Sequence, residues 1–486
     1  MRTFARPVLA GLLAAGAGLA AAELLAALTR PESAPLITIG GSVIDATPTP
    51  VKEFAVQTFG TYDKPLLLGG ILAALAVAAA AIGVLASRHR GLGLAAVTAF
   101  GVIGVIAALT RPAALAVDAI PAIVAGIVAV VVLALLTGER GEPVGRRRFL
   151  GTALAVGGGA VAAGLFRFLD DRGARYRESV TLPEAADPAS TRVTSPGFYT
   201  ANSDFYRVDT ALTVPRVDVE QWRLRIGGMV DRPITLSFEE LIRRPLSERD
   251  ITLNCVSNEV GGPYIGTARW LGIPLAPLLR EVGVKAGADQ VVARSTEGMT
   301  IGTPIETVLD GRDAMLVIGM NGEALPLEHG FPVRMLTPGL YGYAGACKWI
   351  TQIELATFDS FDAYWVKRGW AARAPVKTAS RIDRPSAFAR LQEGETMIAG
   401  VAWAQRRGIA AVEVKVDEGA WEKAGLMPVP STDTWVQWRL AWQARSGGHT
   451  LRVRATDGRG EVQTEQRATP FPDGATGWHT VAVSVA

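Results

Sequence analysis

Apolar segments of membrane-spanning length fill most of the first 170 residues. A helix needs about 20 apolar residues to cross the hydrocarbon core of a bilayer. The segments that approach or reach this length are 8–28, 65–86, 92–109, 115–136 and 149–166. This feature limits the fold more than any other, because a backbone in lipid must satisfy its polar groups within helices or a closed barrel. We therefore predict an N-terminal α-helical membrane bundle over 1–170 with about five transmembrane helices.

Arginines indicate the orientation of this bundle. They precede the first segment, separate the second from the third, and separate the fourth from the fifth, at Arg2, Arg6, Arg88, Arg90, Arg140, Arg146, Arg147 and Arg148. All these positions fall on one side of the membrane, which the positive-inside rule assigns to the cytoplasm. We therefore expect a plasma-membrane protein whose chain after the fifth segment is extracytoplasmic. A cleaved signal peptide is the alternative for the first segment, although the stretch lacks a convincing small-residue cleavage site before Arg30.

Two features of the apolar segments allow more than one interpretation. The sequence Gly-Arg-Arg-Arg-Phe-Leu at 145–150 resembles a twin-arginine export motif and fits positive-inside charge equally well. Glu23 and Asp118 lie in or beside apolar segments, where a carboxylate is either a quinone or proton site or an end residue that reaches the interface. None of the four histidines falls inside a segment, which excludes a histidine-paired haem there.

From about residue 171 the chain has the regular charges of a soluble protein. The first 170 residues carry 13 Lys and Arg against 9 Asp and Glu, and the remainder carries 36 against 37. This balance gives no indication of nucleic-acid binding. The two cysteines, Cys255 and Cys347, are too few for a disulfide framework, and they form no CxxC pair for a zinc or iron–sulfur site.

Three regions follow the membrane part. Residues 171–196 are polar without periodicity and are interpreted as a linker. Residues 197–384 mix helices and strands: alternation at 222–226 predicts a half-buried strand, and Ser237 with Glu240 predicts a helix start with a capping box. This mixture indicates an α+β domain. Residues 385–486 alternate apolar and polar positions between turns, which predicts an all-β sandwich whose tryptophans mostly pack in its core.

The candidate functional residues stand in turns. Cys255 ends an apolar-led run and is followed by Ser257, Asn258 and two glycines, a turn that either presents the thiol to a ligand or simply buries it. His329 and Arg334 flank a Gly-Phe-Pro bend, a pattern that fits a structural pair as well as a site. Lys348 ends a glycine-rich segment that can bring backbone N–H groups and an ammonium to a phosphate, although its spacing is not that of a P-loop.

Four ordered motifs together resemble the sulfite oxidase family of molybdopterin enzymes. They are Asn254-Cys255 with Asn258, the Thr-Ala-Arg-Trp stretch at 267–270, the run 320–334, and Lys348-Trp349. The resemblance covers about 197–486 and is strongest to the bacterial membrane-attached branch. It implies a molybdopterin-binding catalytic domain over 197–384 and an immunoglobulin-like dimerisation domain over 385–486.

The resemblance also implies roles for individual residues. Cys255 is the expected thiolate ligand of molybdenum, and a soft thiolate suits that metal. Arg207 matches a substrate-pocket arginine, and Trp370 stands where the family has a substrate-site tyrosine. The residues expected to hold the pterin and its phosphate are Asn202, Asn258, His329, Arg334 and Lys348. Because no second redox centre is found in the sequence, we expect a separate electron-transfer partner, a cytochrome or the quinone pool.

Departures from the family leave the substrate open. Glu259 and Val260 stand where animal sulfite oxidases have two arginines, and Phe471 stands where a further anion-binding arginine is expected. Fewer cations weaken the case for a doubly charged oxyanion. The resemblance implies two-electron oxygen atom transfer on a small sulfur compound, with reduction of an S-oxide or N-oxide, for example methionine sulfoxide, as the alternative. A metal-free membrane-anchored binding protein is the alternative of another class, and the retained Cys255, His329, Arg334 and Lys348 argue against it.

Overall fold

The computed structural model describes residues 2–59, 62–137, 172–190 and 192–486, with isolated positions between 147 and 159. These residues form two compact units. The first contains 1–173 together with Thr210–Pro215, and the second contains Ala174–Asp209 together with Arg216–Ala486. The predicted fifth apolar segment, 149–166, and the twin-arginine sequence at 145–150 lie outside the continuously described residues.

The first unit is helical. Among the described residues, four helices are long and apolar enough to cross a membrane, at Ala5–Leu28, Asp63–Arg88, Arg90–Leu109 and Ala116–Thr137, which agrees with the first four predicted segments. The helices of this unit, with two short 3₁₀ turns, are Arg2–Leu28, Pro31–Ser33, Pro35–Ala46, Thr49–Phe59, Asp63–Arg88, Arg90–Leu109, Ala116–Asp118 and Ala119–Thr137. The helices at 35–46 and 49–59 occupy a connection for which the sequence predicted no structure.

Small residues let the long helices of this unit approach closely. A Cβ built on Gly11 would lie 1.9 Å from the carbonyl oxygen of Ala79, so that only glycine fits at this crossing. Asp118 does not reach outward as an isolated end residue. Its side chain is 1% exposed, and its Oδ1 lies 3.0 Å from Nη1 of Arg30. The ion pair supplies the partner that a buried carboxylate requires.

The predicted linker is helical at its start, over Arg172–Glu178. Arg177 anchors the chain here, since its Nε donates to the carbonyl oxygen of Ala324 at 3.0 Å and its Nη2 pairs with Glu323 at 2.5 Å. Tyr176 of the same helix packs against the core that contains Trp270, so that one aromatic residue and one long polar side chain fix this segment. The sequence therefore shows no periodicity from which a helix could be predicted.

Two sheets form the framework of the α+β part. Its strands are β1 (Arg223–Gly228), β2 (Ile234–Ser237), β3 (Ser247–Asn254), β4 (Ile265–Pro274), β5 (Gln290–Ser295), β6 (Thr300–Pro304), β7 (Met315–Met320), β8 (Glu323–Ala324), β9 (Arg334–Leu336) and β10 (Ile350–Ala356). One sheet has the order β2-β1-β10-β5-β6. The other has the order β3-β4-β7-β8, with β9 paired to β7. Short helices connect the strands, at Phe238–Ile242, Leu275–Val282, Ile305–Leu309, Leu327–His329, Gly342–Gly345 and Val366–Arg368.

Local sequence signals in this part are confirmed. Strand β1 alternates buried and exposed side chains, with Leu224 and Ile226 fully buried. The helix after β2 begins at the predicted capping box: the Ser237 hydroxyl accepts a hydrogen bond from the Glu240 N–H at 3.2 Å. The Glu240 carboxylate in turn accepts from the Ser237 N–H at 2.7 Å. These contacts satisfy backbone donors at the helix start.

The C-terminal part is rich in sheet. Its strands are β11 (Ala379–Arg384), β12 (Arg390–Leu391), β13 (Gly394–Trp403), β14 (Ile409–Val416), β15 (Trp421–Lys423), β16 (Gly425–Leu426), β17 (Val436–Ala444), β18 (Gly447–Asp457) and β19 (His479–Val485). Two sheets have the orders β11-β13-β17-β16 and β12-β19-β18-β14-β15. Inward side chains of both sheets share one core, which includes Ile398, Val412, Trp438, Val453 and Val483. The predicted alternation in β14, β18 and β19 is therefore confirmed.

Candidate functional site

Cys255 lies at the tip of a hairpin. Strands β3 and β4 pair antiparallel, with Asn254 opposite Ile265, so that residues 255–264 form the connecting turn. The Cys255 N–H donates to the carbonyl oxygen of Tyr264 at 2.9 Å, and the Asn258 N–H donates to that of Cys255 at 3.1 Å. The Asn258 side chain closes the turn, since its Oδ1 accepts from the Tyr264 N–H at 2.8 Å. The turn fixes the backbone that carries the thiol.

The C-terminal sheets hold this hairpin from the other side. The Thr252 N–H donates to the carbonyl oxygen of Asp433 at 2.9 Å, and the Trp435 N–H donates to the Thr252 hydroxyl at 2.7 Å. Gly261 has a φ of +82°, and a Cβ built there would lie 2.2 Å from the ring of His479. Glycine is required at this position both for its backbone conformation and for the close approach of β19.

The thiol of Cys255 is buried, and burial raises its pKa. Hydrogen bonds from Ser257 and the charge of Lys348 oppose this rise. The protein by itself thus favours the protonated thiol, whereas a metal ligand must be a thiolate. A bound metal would release the proton, because coordination and deprotonation are linked.

Lys348 belongs to a buried charge network that the sequence did not predict. Its Nζ lies 2.6 Å from Oδ2 of Asp209 and 3.0 Å from the carbonyl oxygen of Glu328. The same Asp209 oxygen lies 2.9 Å from Nε of Arg207. Burial lowers the pKa of Lys348 to about 8, although Asp209 opposes this effect. Asp209 therefore links the predicted substrate-site arginine to the predicted phosphate-site lysine.

His329 is buried in neutral form. Its Nε2 lies 2.9 Å from the carbonyl oxygen of Asn202, so that this nitrogen carries the hydrogen. Burial lowers the pKa of His329 to about 4, and the positive charges of Arg334 and Lys348 add to this effect. The side chain of Asn202 is used elsewhere: its Nδ2 donates to Glu323 at 2.5 Å, and its Oδ1 accepts from Asn321 at 2.8 Å. Only the backbone of Asn202 contacts His329 in these hydrogen bonds.

Arg334 is a buried cation at the start of β9. Its Nη1 donates to the carbonyl oxygen of His329 at 3.1 Å, and its guanidinium lies 5.3 Å from the ring centre of Trp270. Burial lowers the pKa of Arg334 to about 10, which keeps it charged at neutral pH. Its Nε is buried without a hydrogen-bond partner. In the part of the chain that the structure describes, no ion pair joins Arg334 to a carboxylate, and a buried cation of this kind calls for an anion.

Two tyrosines near Cys255 were missed by the sequence analysis. Burial raises the pKa of Tyr206, and the charge of Cys255 acts in the same direction. Burial also raises the pKa of Tyr341 to about 12, with smaller contributions from Asp473 and Cys255. Tyr206 follows a buried phenylalanine and Tyr341 lies in the glycine-rich segment, so that neither has a local pattern that distinguishes it from a core aromatic residue.

Trp370 lies in an aromatic cluster beside the Cys255 turn. It shares an apolar core with Val256 and Tyr341. Its ring centre lies 5.4 Å from that of Phe471 and 5.7 Å from that of Tyr343. Trp370 and Phe471, the two positions at which the sequence analysis expected departures from the family, are therefore in edge-to-face contact with each other. Among the described residues, the ion pair of Lys348 is made with Asp209 and not with a side chain of this aromatic cluster.

The donor set fits a cofactor that brings its own metal ligands and an anionic group. Among the described residues, no group of three or more His, Cys, Asp or Glu side chains is placed to hold a metal ion. Cys255 can supply one soft ligand, and Arg334 and Lys348 can neutralise an anion. Buried polar atoms without partners occur at the strand ends around these residues, in Asn254, Ser295, Glu297, Arg334 and Thr337. Such groups normally find a partner in a ligand or in ordered water.

Comparison with known proteins points to the same cofactor. The oxidoreductase molybdopterin binding domain family matches residues 211–365. Mitochondrial sulfite oxidase of Mus musculus is 28% identical over 357 residues, which are 62% of this chain and 64% of that protein. The chain thus spans less than two thirds of the length of that relative. An uncharacterised oxidoreductase of Bacillus subtilis, YuiH, is 32% identical over 156 residues, which are 32% of this chain and 75% of that protein.

One solved structure has a similar fold. The sulfane dehydrogenase SoxCD of Paracoccus pantotrophus superposes with a TM-score of 0.53 at 24% identity, over 60% of this chain and 82% of that chain. This similarity concerns the fold alone. Together with the sequence matches, it agrees with the arrangement of sheets around the Cys255 turn.

Proposed function

The chain belongs to the sulfite oxidase family of molybdopterin-dependent oxidoreductases, and on this premise we propose that it moves an oxygen atom and two electrons to or from a small sulfur compound. Molybdopterin supplies this chemistry when it is bound, and the protein supplies position and electrostatics. The observation that carries the proposal is Arg334, a buried cation beside His329 that has no carboxylate partner among the described residues. A cofactor with an anionic tail would provide that partner.

In this proposal Cys255 is the thiolate ligand of molybdenum. His329, Arg334 and Lys348 hold the pterin and its phosphate, and Asn202 and Asn258 complete the cofactor site. His329 is uncharged, since its pKa lies far below neutrality, and with its Nε2–H donated to Asn202 its Nδ1 offers the pterin an acceptor. Arg334 and Lys348 offer charged donors, which bind phosphate oxygens more strongly than neutral donors do.

Arg207 and Trp370 are proposed to face the substrate. The Arg207 side chain is 32% exposed, so that it can meet a molecule arriving from solvent, while Asp209 fixes its position at 2.9 Å. Trp370 contributes an aromatic surface together with Phe471. Arg207 would bind an oxygen of the substrate, and the aromatic rings would contact its apolar part.

The remaining regions are assigned to attachment and assembly. We propose that residues 1–170 attach the enzyme to the plasma membrane, that 171–196 link this part to a catalytic domain at 197–384, and that the catalytic domain is extracytoplasmic. Residues 385–486 would form an immunoglobulin-like domain through which a homodimer assembles. Electrons would pass to or from a separate cytochrome or the quinone pool, since a chain with two cysteines has no iron–sulfur ligand set. We place the enzyme in the bacterial membrane-attached branch of the family.

Metal analysis of the purified full-length protein tests this function. The wild type and Cys255→Ala are produced in a host that makes molybdopterin, and molybdenum and pterin are measured together with turnover. We expect about one metal per chain in the wild type, and turnover confined to it. The absence of metal and pterin from the wild type would contradict the proposal and favour a binding protein that has kept only the fold.

Reduction of an S-oxide or N-oxide is the second candidate. The Trp370–Phe471 contact favours it, because two aromatic rings occupy positions at which sulfite oxidases have a tyrosine and an arginine. Such a surface suits a neutral sulfoxide better than a doubly charged oxyanion. Turnover with methionine sulfoxide and a reduced dye, in the absence of turnover with sulfite, would establish this direction.

A double variant tests the role of these rings. In Trp370→Tyr combined with Phe471→Arg, we expect weaker binding of sulfoxide and stronger binding of sulfite, measured as KM for each compound. Equal KM values in the wild type and the double variant would show that this cluster does not select the substrate.

A further inference from the structure

The turn between β5 and β6 brings a carboxyl group into the interior beside Lys348. Glu297 lies in this turn, and Ser295 ends β5. The turn is fixed against the chain that follows Lys348, since the Thr296 N–H donates to the carbonyl oxygen of Trp349 at 2.9 Å. Oγ of Ser295 and Oε2 of Glu297 are both buried without a hydrogen-bond partner of good geometry. The Ser295 hydroxyl nevertheless lies close enough to Glu297 to lower the pKa of its carboxyl group. One hydroxyl and one carboxyl group therefore lie together in the same buried region.

Burial favours the neutral form of Glu297. Burial and, to a smaller extent, the carboxylate of Asp209 raise the pKa of Glu297 to about 7, while its own backbone N–H, the charge of Lys348 and the Ser295 hydroxyl act in the opposite direction. The ammonium of Lys348 is already 2.6 Å from Asp209, so that it only partly supports a second negative charge. Among the described residues, the thiol of Cys347 also lies close enough to interact with Glu297, and burial raises the pKa of this thiol, which keeps it neutral.

A protonated carboxyl group is a hydrogen-bond donor. Kept neutral by a buried site, such a group can donate to an oxyanion, whereas an ionised carboxylate would repel it. The Ser295 hydroxyl is a second neutral donor. Hydrogen bonds of the O–H···O⁻ type are short and strong. Both donors lie near Lys348, which is one of the two cations available to an anion in this region.

We propose that Ser295 and the protonated carboxyl group of Glu297 join Lys348 in binding the anionic, phosphate-bearing end of molybdopterin. This inference rests on the proposed function, because it requires the cofactor at Lys348. Its consequence is that binding of the cofactor retains a proton on Glu297. The protein therefore holds the cofactor less tightly as the pH rises.

The test measures how much cofactor the full-length holoprotein keeps. Wild type and Glu297→Gln, loaded in the producing host, are dialysed at about pH 6 and about pH 8, and the retained molybdenum and released pterin are quantified. Titration of a group with a pKa of about 7 changes its protonated fraction about tenfold over this interval. Gln is a neutral donor at every pH, so that the ratio of wild-type to variant retention should fall about tenfold between the two pH values.

Two further variants make the result specific. Ser295→Ala removes one donor and should weaken retention at both pH values. Glu306→Gln alters a 53%-exposed carboxylate that pairs with Arg373, and it should behave as the wild type does. Lys348 and the phosphate titrate in the wild type and in every variant. Their contributions to the pH dependence of retention therefore cancel in the ratio of wild-type to variant retention.

The outcomes separate this inference from the proposed function. Loss of cofactor from Glu297→Gln at both pH values would mean that Glu297 acts as an acceptor, and an unchanged pH dependence would mean that it takes no part; either result overturns the inference. Full retention by Ser295→Ala also contradicts it, independently of how Glu297→Gln folds. A wild type without molybdenum or pterin would instead contradict the proposed function itself.

Discussion

Replacing Asp209 by asparagine is expected to destabilise the region around Lys348. The Asp209 side chain is 4% exposed and lies 2.6 Å from the ammonium of Lys348, which is itself 10% exposed. Removing one partner of a buried ion pair costs about 3–5 kcal/mol, because the other charge stays buried without compensation. The loss of the second ion pair, between Asp209 and Arg207, adds little to this free-energy cost, because Arg207 is 32% exposed and solvent screens its charge. We therefore expect a loss of about 3 kcal/mol in cofactor-free Asp209→Asn.

Hydrogen exchange measured by mass spectrometry can detect this loss locally. A decrease of about 3 kcal/mol in the free energy of local opening corresponds to exchange on the order of a hundredfold faster in peptides that cover 205–209 and 328–350. A bound anionic cofactor would partly replace Asp209 as the partner of Lys348. We therefore expect a smaller difference, about tenfold, when wild type and variant both carry molybdopterin.

The control variant is Glu239→Gln, which removes an ion pair between side chains that are each 71% exposed. Such a surface pair contributes about 0–1 kcal/mol, so that this variant should exchange at nearly the wild-type rate. If the backbone amides of cofactor-free Asp209→Asn exchange as slowly as those of Glu239→Gln, the reasoning is refuted. The buried ion pair would then contribute no net stability.

Three further predictions concern the cofactor site and its pH dependence. Cys255→Ser should abolish turnover while the protein stays folded, because the change removes a soft ligand but no core volume. Circular dichroism checks the fold and an activity assay checks turnover. Wild-type activity in this variant would exclude the ligand role of Cys255. Lys348→Ala should lose molybdenum on dialysis, and full occupancy afterwards would contradict its role. His329 has a pKa of about 4 in the folded protein against 6.5, so that the unfolded chain binds more protons between these values and stability falls as the pH drops through them. By about pH 4 the resulting decrease in the free energy of unfolding amounts to about 3 kcal/mol. Denaturant unfolding at pH 7 and at pH 4 measures this decrease. His329→Asn lacks the titrating group, so that its free energy of unfolding should fall by about 3 kcal/mol less between the two pH values than that of the wild type.

Much of the fold follows from local patterns. The first four apolar segments, the alternation in β1, β14, β18 and β19, and the capping box at Ser237 are properties of residues close together in the chain, and the structure confirms each. The helix at Arg172–Glu178 was missed for the opposite reason. Its side chains contact residues far away in the chain: the partners of Arg177 lie about 147 residues away, and Tyr176 packs against the core that contains Trp270.

The motif residues of the candidate site are predictions from the sequence, whereas its supporting groups emerged only from the fold. Cys255, His329, Arg334 and Lys348 stand in ordered motifs whose spacing the sequence displays. Asp209 and Glu297 have no such motif. Each became a candidate only because the fold buries it near Lys348, where burial and neighbouring charges shift pKa values.

The sequence by itself determined the apolar helices that are long enough to cross a membrane, the strand alternation and the family motifs, because periodicity and motif spacing are written in consecutive residues. Only the tertiary structure decided which charges meet. The partners Asp209 and Lys348 are 139 residues apart, and the turn that carries Glu297 reaches them through the sheet order β10-β5-β6. Electrostatic effects depend on distance and on exclusion of water, and both are set by how the strands are arranged in space rather than by their order in the chain.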